Sequence, residues 1–274
     1  MKQQQKPVQK SEPKTAEIVR HGGESAIAAP PEYLRKGERD AAGLEYMSST
    51  DVTVPRLGLC QSNSPQRIRN DAKYIEGLTD GEFFNSISRE NYGNSVLIVP
   101  LLFYKSRIRY GKTMGDPLRC QALDGLHGVG DPGGSCLTCP LAQFGTSEKE
   151  GSNAPACQEF FNYASLVVED GGRVSPQGLV VFSLKSTAIK VAKEWNSLIR
   201  FRNADMFAGI YRIKSAARAD GKHNWWTAVV ENAGWVSQQA YESAKVAYAA
   251  VAALQREGRF RFDAEAIGEG VSQA

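Results

Sequence analysis

Four cysteines constrain this chain more than any other feature: Cys120, Cys136, Cys139 and Cys157, spaced C-x15-C-x2-C-x17-C. They lie in LRCQALDGLHGVGDPGGSCLTCPLAQFGTSEKEGSNAPACQ, a segment dense in turn residues and poor in side chains that could form a core. A Cys-x2-Cys pair presents two thiolates to one ion from a tight turn, and a single cysteine on either side completes a tetrahedral set. Zinc favours such soft sulfur ligands, and four of them leave no open position for catalysis. The expected group is therefore one structural Zn2+. Two disulfides or four unconnected thiols are the alternatives. The chain has no secretory leader by sequence, and its fifth cysteine, Cys60, sits alone in an apolar run, so a reducing, cytoplasmic setting is expected. His127 lies between the first two cysteines and reads as an exposed loop residue.

The length of 274 residues suffices for a sizeable core. No apolar run approaches the ~18 residues of a membrane helix, so no membrane partner is expected. Residues 1–45 open with MKQQQKPVQKSEPKTAE and read as a disordered tail. Residues 259–274 read as a flexible, mildly acidic one, with Asp263, Glu265 and Glu269 after Phe262. Between them, 46–258 reads as one domain carrying the zinc-binding insertion at 117–158. The formal charge of +3 matters less than its distribution. Leu102–Cys120 holds five basic residues against Asp116 alone, and Lys185–Trp226 holds nine against Glu194, Asp205 and Asp220. A basic body with an acidic end points to a polyanionic partner.

Alternating apolar residues predict strands at VTVPRLGLC, at Ser95–Tyr110, in EFFNYASLVVE and QGLVVFSLK around Asp170-Gly171-Gly172, and in a hairpin turning at Asp220-Gly221. STAIKVAKEWNSLIRFR predicts a helix capped by Ser186 or Thr187, with Ile189, Ala192, Trp195 and Ile199 on one face. SQQAYESAKVAYAAVAALQREG predicts a second helix ending at Gly258. Six or seven strands with one inter-strand helix and a C-terminal helix make a mainly β (α+β) chain. The economical architecture is an OB-type antiparallel Greek-key barrel with a four-cysteine zinc insertion, which tolerates long excursions between strands. A different antiparallel α+β sheet is its competitor.

Enzymatic signatures are missing. Gly128-Val-Gly-Asp-Pro-Gly133 spells G-x-G-x-x-G, but it lies between the cysteines and opens no helix. No Walker A sequence, H-E-x-x-H or H-x-E motif is present, so a non-enzymatic role is expected. What is present is aromatic residues interleaved with Arg and Lys, the chemistry of base stacking and phosphate neutralisation. Tyr104, Lys105, Arg107, Arg109 and Tyr110 form one such segment. Tyr211, Arg212 and Lys214, with Lys222, Trp225 and Trp226, form the other, and Arg200 and Arg202 extend it. Neighbouring strand residues face opposite sides, so one of Trp225 and Trp226 is expected in the core and the other at a ligand. Trp226, Tyr110 and Tyr211 are the preferred stackers.

VPRLGLCQSNSP, GEFFNS, YGNSVLIVPLLFYKSRIRY, the C…GGSCLTCP…FG…PACQ block and VVFSLKSTAIKVAKEWNSL together resemble bacteriophage single-stranded-DNA-binding proteins with a zinc-binding insertion. The resemblance spans about Asp51–Leu254. It implies an OB-type barrel, zinc on the four cysteines and DNA on the aromatic and basic strands, in the host cytoplasm. It also implies replication or recombination proteins as partners of the C-terminal tail, although DAEAIGEGVSQA is less acidic than such tips. The expected function is protection of single-stranded DNA, without strong sequence preference, during phage replication or recombination. The other readings are a zinc-stabilised protein-interaction or virion-associated module, and a DNA-processing nuclease subunit.

Overall fold

A computed structural model describes residues 43–48, 51–111, 116–148, 151–169, 172–221 and 224–260. The chain forms β1 (Arg56–Leu59), β2 (Phe83–Asn85), β3 (Asn91–Gly93), β4 (Ser95–Arg109), β5 (Cys120–Ala122), β6 (His127–Gly130) and β7 (Gly134–Ser135). These are followed by β8 (Gln158–Val168), β9 (Val174–Lys185), α1 (Ile189–Phe201), β10 (Gly209–Ala219), β11 (Asn224–Trp235) and α2 (Gln238–Arg256). The expected tails fall largely outside the described residues, as does Lys222. Among the described residues no helix is long and apolar enough to cross a membrane.

The expected OB-type barrel does not form. The strands make one open, mixed sheet of eleven, ordered β3-β2-β1-β9-β8-β4, with two branches leaving β4. One edge of β4 pairs with β8 over Ile98–Ile108. Its other edge pairs with β10 over Ser95–Ile98 and with β5 over Arg107–Arg109, so the sheet forks. β6 and β7 prolong the second fork, and β11 completes the first. The β1–β9 pair is parallel, Arg56 opposite Val181, while the other pairs are antiparallel. The β10–β11 ribbon curls back toward β1 but forms no ladder with it. Instead the Trp226 backbone N–H donates to Gln61 Oε1 at 2.8 Å, and Gln61 Nε2 donates to the Trp226 carbonyl at 3.0 Å. One side-chain amide stands where a closed barrel would have a strand pair.

Closure fails for a reason found in the two cores. A barrel buries one face of each strand, whereas here β4, β8 and β9 are buried on both. One core gathers Ile98, Tyr163, Phe182, Tyr211 and Ile213 against Ala192 and Trp195 of α1. The other gathers Val99, Leu101, Phe160, Leu166 and Val181 against Ala244, Ala247 and Val251 of α2. A bulge between Pro100 and Leu102 shifts the alternation of β4. Val96 and Ile98 therefore face the first core, while Tyr104 and Ile108 beyond the bulge face the second.

The helices fit these roles. Trp195 stacks on Tyr163 with ring centroids 4.0 Å apart, and the Tyr163 hydroxyl donates to the Ala192 carbonyl at 3.0 Å. Ala240, Ala244 and Ala247 give α2 a narrow buried stripe, and Ser237 caps it by accepting from the Ala240 N–H. At the start of α1 the expected cap is not formed: neither the Ser186-Thr187-Ala188 turn nor the helix it opens carries a side-chain cap.

Candidate nucleic-acid interface

A groove of about 1460 Å³ opens where the ends of β1, β4, β9 and β11 converge. Trp225 and Trp226 of β11 line it, as do Ser152, Ala154 and Pro155 of the cysteine segment. Arg56, Tyr110, Phe160 and Lys185 line it too, with Arg109, Arg119 and Glu148. Both tryptophans are half-buried and both residues line the groove, so neither is wholly enclosed in a core. Gly81 explains the placement of Trp226. Its backbone has φ +81°, and an added Cβ would lie 2.6 Å from the indole, so only glycine lets the ring settle there.

The other residues expected at an interface divide sharply. Tyr104 is buried in the second core, edge-on to Phe260 at 5.9 Å, and burial drives its phenol far above the ordinary range. Tyr211, 1% exposed, lies edge-on to Trp195 at 5.5 Å in the first core. Neither ring can receive a base, which corrects the choice of Tyr211 as a stacker. Lys105 and Arg107 share Glu159, at 3.4 and 2.8 Å, and neither lines the groove. Lys214 pairs with Glu231 at 2.7 Å, and Arg200 and Arg212 are exposed outside the groove. Arg202 lies 3.7 Å from the Trp235 ring centroid and donates to Asn232 Oδ1 and the Gly234 carbonyl. Arg109, Tyr110, Trp225 and Trp226 are thus the expected contacts brought into one groove. Tyr110 enters it as a neutral hydroxyl, its pKa raised by burial.

Arg56 and Lys185 were not anticipated as site residues. Arg56 is a lone charge inside the apolar run VPRLGL, and Lys185 ends an apolar strand; a cation in such a setting was the available signal. Burial first, and the Arg56 charge second, lower the Lys185 ammonium pKa to about 7. In the unfolded chain it titrates near ~10.4. Between these values the unfolded chain binds more protons, so this lysine makes stability rise with pH from about 7 to ~10.4. Lys185→Met is therefore expected to raise the Tm most at about pH 6 and hardly at all above ~10.4. Thermal melts at the two extremes check this, and an equal gain at both would refute it.

The four cysteines line a second, small cavity with Arg107, Arg109, Gly128 and Leu141. Cys120 belongs to β5, Cys136 follows β7 with its N–H on the Leu126 carbonyl, and Cys139 opens a turn at Pro140–Ala142. Cys157 precedes β8 with its N–H on the Leu141 carbonyl. A Cβ on Gly128 would come 2.9 Å from Cys120 Sγ, so a bare backbone is needed beside that sulfur. The cavity of about 10 Å³ has room for a single small ion, and its donors are four soft sulfurs. The residues fit zinc in kind. Yet among the described residues no group of three or more His, Cys, Asp or Glu is drawn into coordinating geometry. Burial pushes the Cys157 thiol up to about 11 and also raises Cys136, while Arg107 acts in the opposite sense. His127 is exposed, its Nδ1 2.7 Å from Asp124 Oδ2, and does not line the cavity.

Arg109 lines both the groove and the cysteine cavity. Its guanidinium donates to Asp131 Oδ2 at 3.1 Å and to Glu148, tying both halves of the cysteine segment to the end of β4. Glu148 also receives Arg119 at 3.4 Å.

The profile of a family described as Pam3 phage gp34-like protein matches residues 22–257. No curated protein and no solved structure matches the chain.

Proposed function

The chain belongs to the Pam3 phage gp34-like family, and from that premise we propose that it is a non-enzymatic protein that binds single-stranded DNA during phage replication or recombination. The observation that carries the reading is the composition of the groove. Trp225, Trp226, Tyr110 and Phe160 line it together with Arg56, Arg109, Arg119 and Lys185, and among the described residues the acids lining it are Glu148 and Asp220. Flat faces beside cations suit a strand that stacks its bases and neutralises its phosphates, irrespective of sequence. The volume exceeds the roughly 300–1,000 Å³ usual for small-molecule sites, which favours a polymer. We further propose that Cys120, Cys136, Cys139 and Cys157 hold one structural zinc ion, which when bound cross-links the segment forming one groove wall. Arg109 then holds that wall against β4.

Fluorescence anisotropy with a labelled dT oligomer of ~30 nucleotides across a salt series tests the reading. Micromolar or tighter binding that weakens steeply with salt is expected. Trp225→Ala or Trp226→Ala should each weaken it by ~1–3 kcal/mol with little change in salt slope. Arg119→Gln should weaken it less and flatten the slope. Absence of binding at low salt by folded, metal-replete protein would defeat the proposal.

A second reading, a protein-interaction or virion-associated module, draws on a separate surface. Phe201 and Trp235 are 85% and 57% exposed, beside Arg202 and away from the groove. Aromatic residues with arginine are enriched at protein interfaces. A Phe201→Ser, Trp235→Ser double variant that binds DNA normally but fails in phage assembly would favour it.

A further inference from the structure

We propose that Gln61 and Gly81 form a clasp that holds the free end of the β10–β11 ribbon at the rim of the groove, and that its release governs how fast a bound strand leaves. The inference deepens the single-strand reading and rests on it. The start of β10 is anchored in the sheet: Tyr211–Lys214 pair with Ser95–Ile98 of β4, and the Ser215 N–H donates to the Asn94 carbonyl at 3.1 Å. Beyond that point Ala216–Ala219 and Asn224–Thr227 pair with each other and, among the described residues, with no third strand. A two-stranded ribbon is marginal by itself, so the place of this end depends on what catches it. The end matters because Asn224, Trp225, Trp226 and Thr227 all line the groove.

The catch comes from a distant part of the chain. Trp226 presents its backbone N–H and C=O on the free edge of β11, and the Gln61 carboxamide answers both, at 2.8 and 3.0 Å. The same Nε2 lies 3.5 Å from the Leu59 carbonyl, at the end of β1. Glutamate would lack the donor, and leucine would lack donor and acceptor alike. Gly81 supplies the second contact, by leaving room for the Trp226 indole. Both halves of the catch are fixed to one another. The Gly81 N–H donates to the Cys60 carbonyl at 2.9 Å, and the Ser62 hydroxyl donates to Asp80 Oδ2 at 2.8 Å. The Gln61 N–H donates to Ser64 Oγ at 2.8 Å. Cys60, Ile75, Leu78 and Phe84 form a third, small core of this segment. The seat is thus braced while the ribbon end is not, so the ribbon is the partner that moves. Opening breaks two hydrogen bonds and one ring contact and leaves both helix-backed cores and the β4–β10 ladder intact, a local event of low cost. Gln61 is in this sense a positioning residue, acting on the strand through Trp226.

The test uses the full chain with its Gln61→Leu and Gly81→Ala variants, which disturb the clasp from two sides, and labelled dT of ~30 nucleotides. Backbone amide exchange is followed at the ribbon end and in β4 and β8, and oligomer association and dissociation by stopped flow. In both variants exchange at Trp226 should quicken about 10-fold, as expected for the loss of a pair of hydrogen bonds, while β4 and β8 keep the parent's protection. Oligomer dissociation should quicken by about the same factor with association no slower, a split that general destabilisation would not produce. Unchanged exchange at the ribbon end in both variants would overturn the clasp. Faster exchange with the parent's oligomer kinetics would overturn its role in binding and leave the single-strand reading standing. A parent that binds no oligomer at low salt would overturn the single-strand reading and this use of the clasp together, whatever the exchange shows.

Discussion

Purified under reducing conditions, the protein is expected to contain about one equivalent of zinc, and a strong chelator to unfold the 117–158 segment. Metal binding and local folding are one equilibrium in such a segment, worth roughly 10–16 kcal/mol in small zinc modules. Cys136→Ser or Cys139→Ser should therefore lower stability by several kcal/mol. The damage should be mainly local, because β5, β6 and β7 form a branch hung on Arg107–Arg109 that the first core does not reach, and the second meets it through Leu118 and Leu123. Elemental analysis and melting with and without chelator decide the matter. Metal-free protein with an unchanged melt would show that the four thiols have another role.

The second large effect concerns the end of the described chain. Phe260 is buried, edge-on to Tyr104, and packs in the core that α2 covers. Phe260→Ala is expected to cost ~3–5 kcal/mol, through lost burial and the cavity left behind. For a domain of this size that corresponds to a Tm lower by about 10 °C. Truncation after Gly258 should cost about as much, whereas truncation after Phe262 should cost little. Calorimetry of the three forms measures the difference, and equal melting temperatures would show that the ring contributes nothing. The ordered body thus reaches at least two residues past Gly258, where the sequence pattern of the last helix stops.

Much of the secondary structure was legible. Helix spacing at Ala192 and Trp195, the alanine stripe ending before Gly258 and the turn at Asp220-Gly221 all correspond to observed elements. The architecture was not, because periodicity reports which residues are buried but not what covers them. The runs LIVPLL and FFNYASLVV are apolar on consecutive positions, the mark of strands buried on both faces. That pattern favours a sheet between two helices over a barrel wall. Within the site, interleaved aromatic and basic residues pointed to Arg109, Tyr110, Trp225 and Trp226, all of which line the groove. The same pattern misled at Tyr211, since alternation along β10 turned that ring toward Trp195. Arg56 and Lys185 were hidden because strands distant in sequence bring them to one groove.

That distance bears on how the chain is made. On a ribosome β1 emerges early, yet one of its neighbours, β9, is synthesised only after the cysteine segment and β8. Until then the hairpin of β1 with β2 has an unoccupied edge bearing Leu57, whose place is against Phe182. β4 and β8, by contrast, can join as soon as the intervening loop is complete. β1 therefore cannot reach its final place in the sheet until β9 has been made, whichever strands pair before it. A nascent chain stalled before Val180 would hold its first strand unpaired on that edge, a natural binding site for a chaperone.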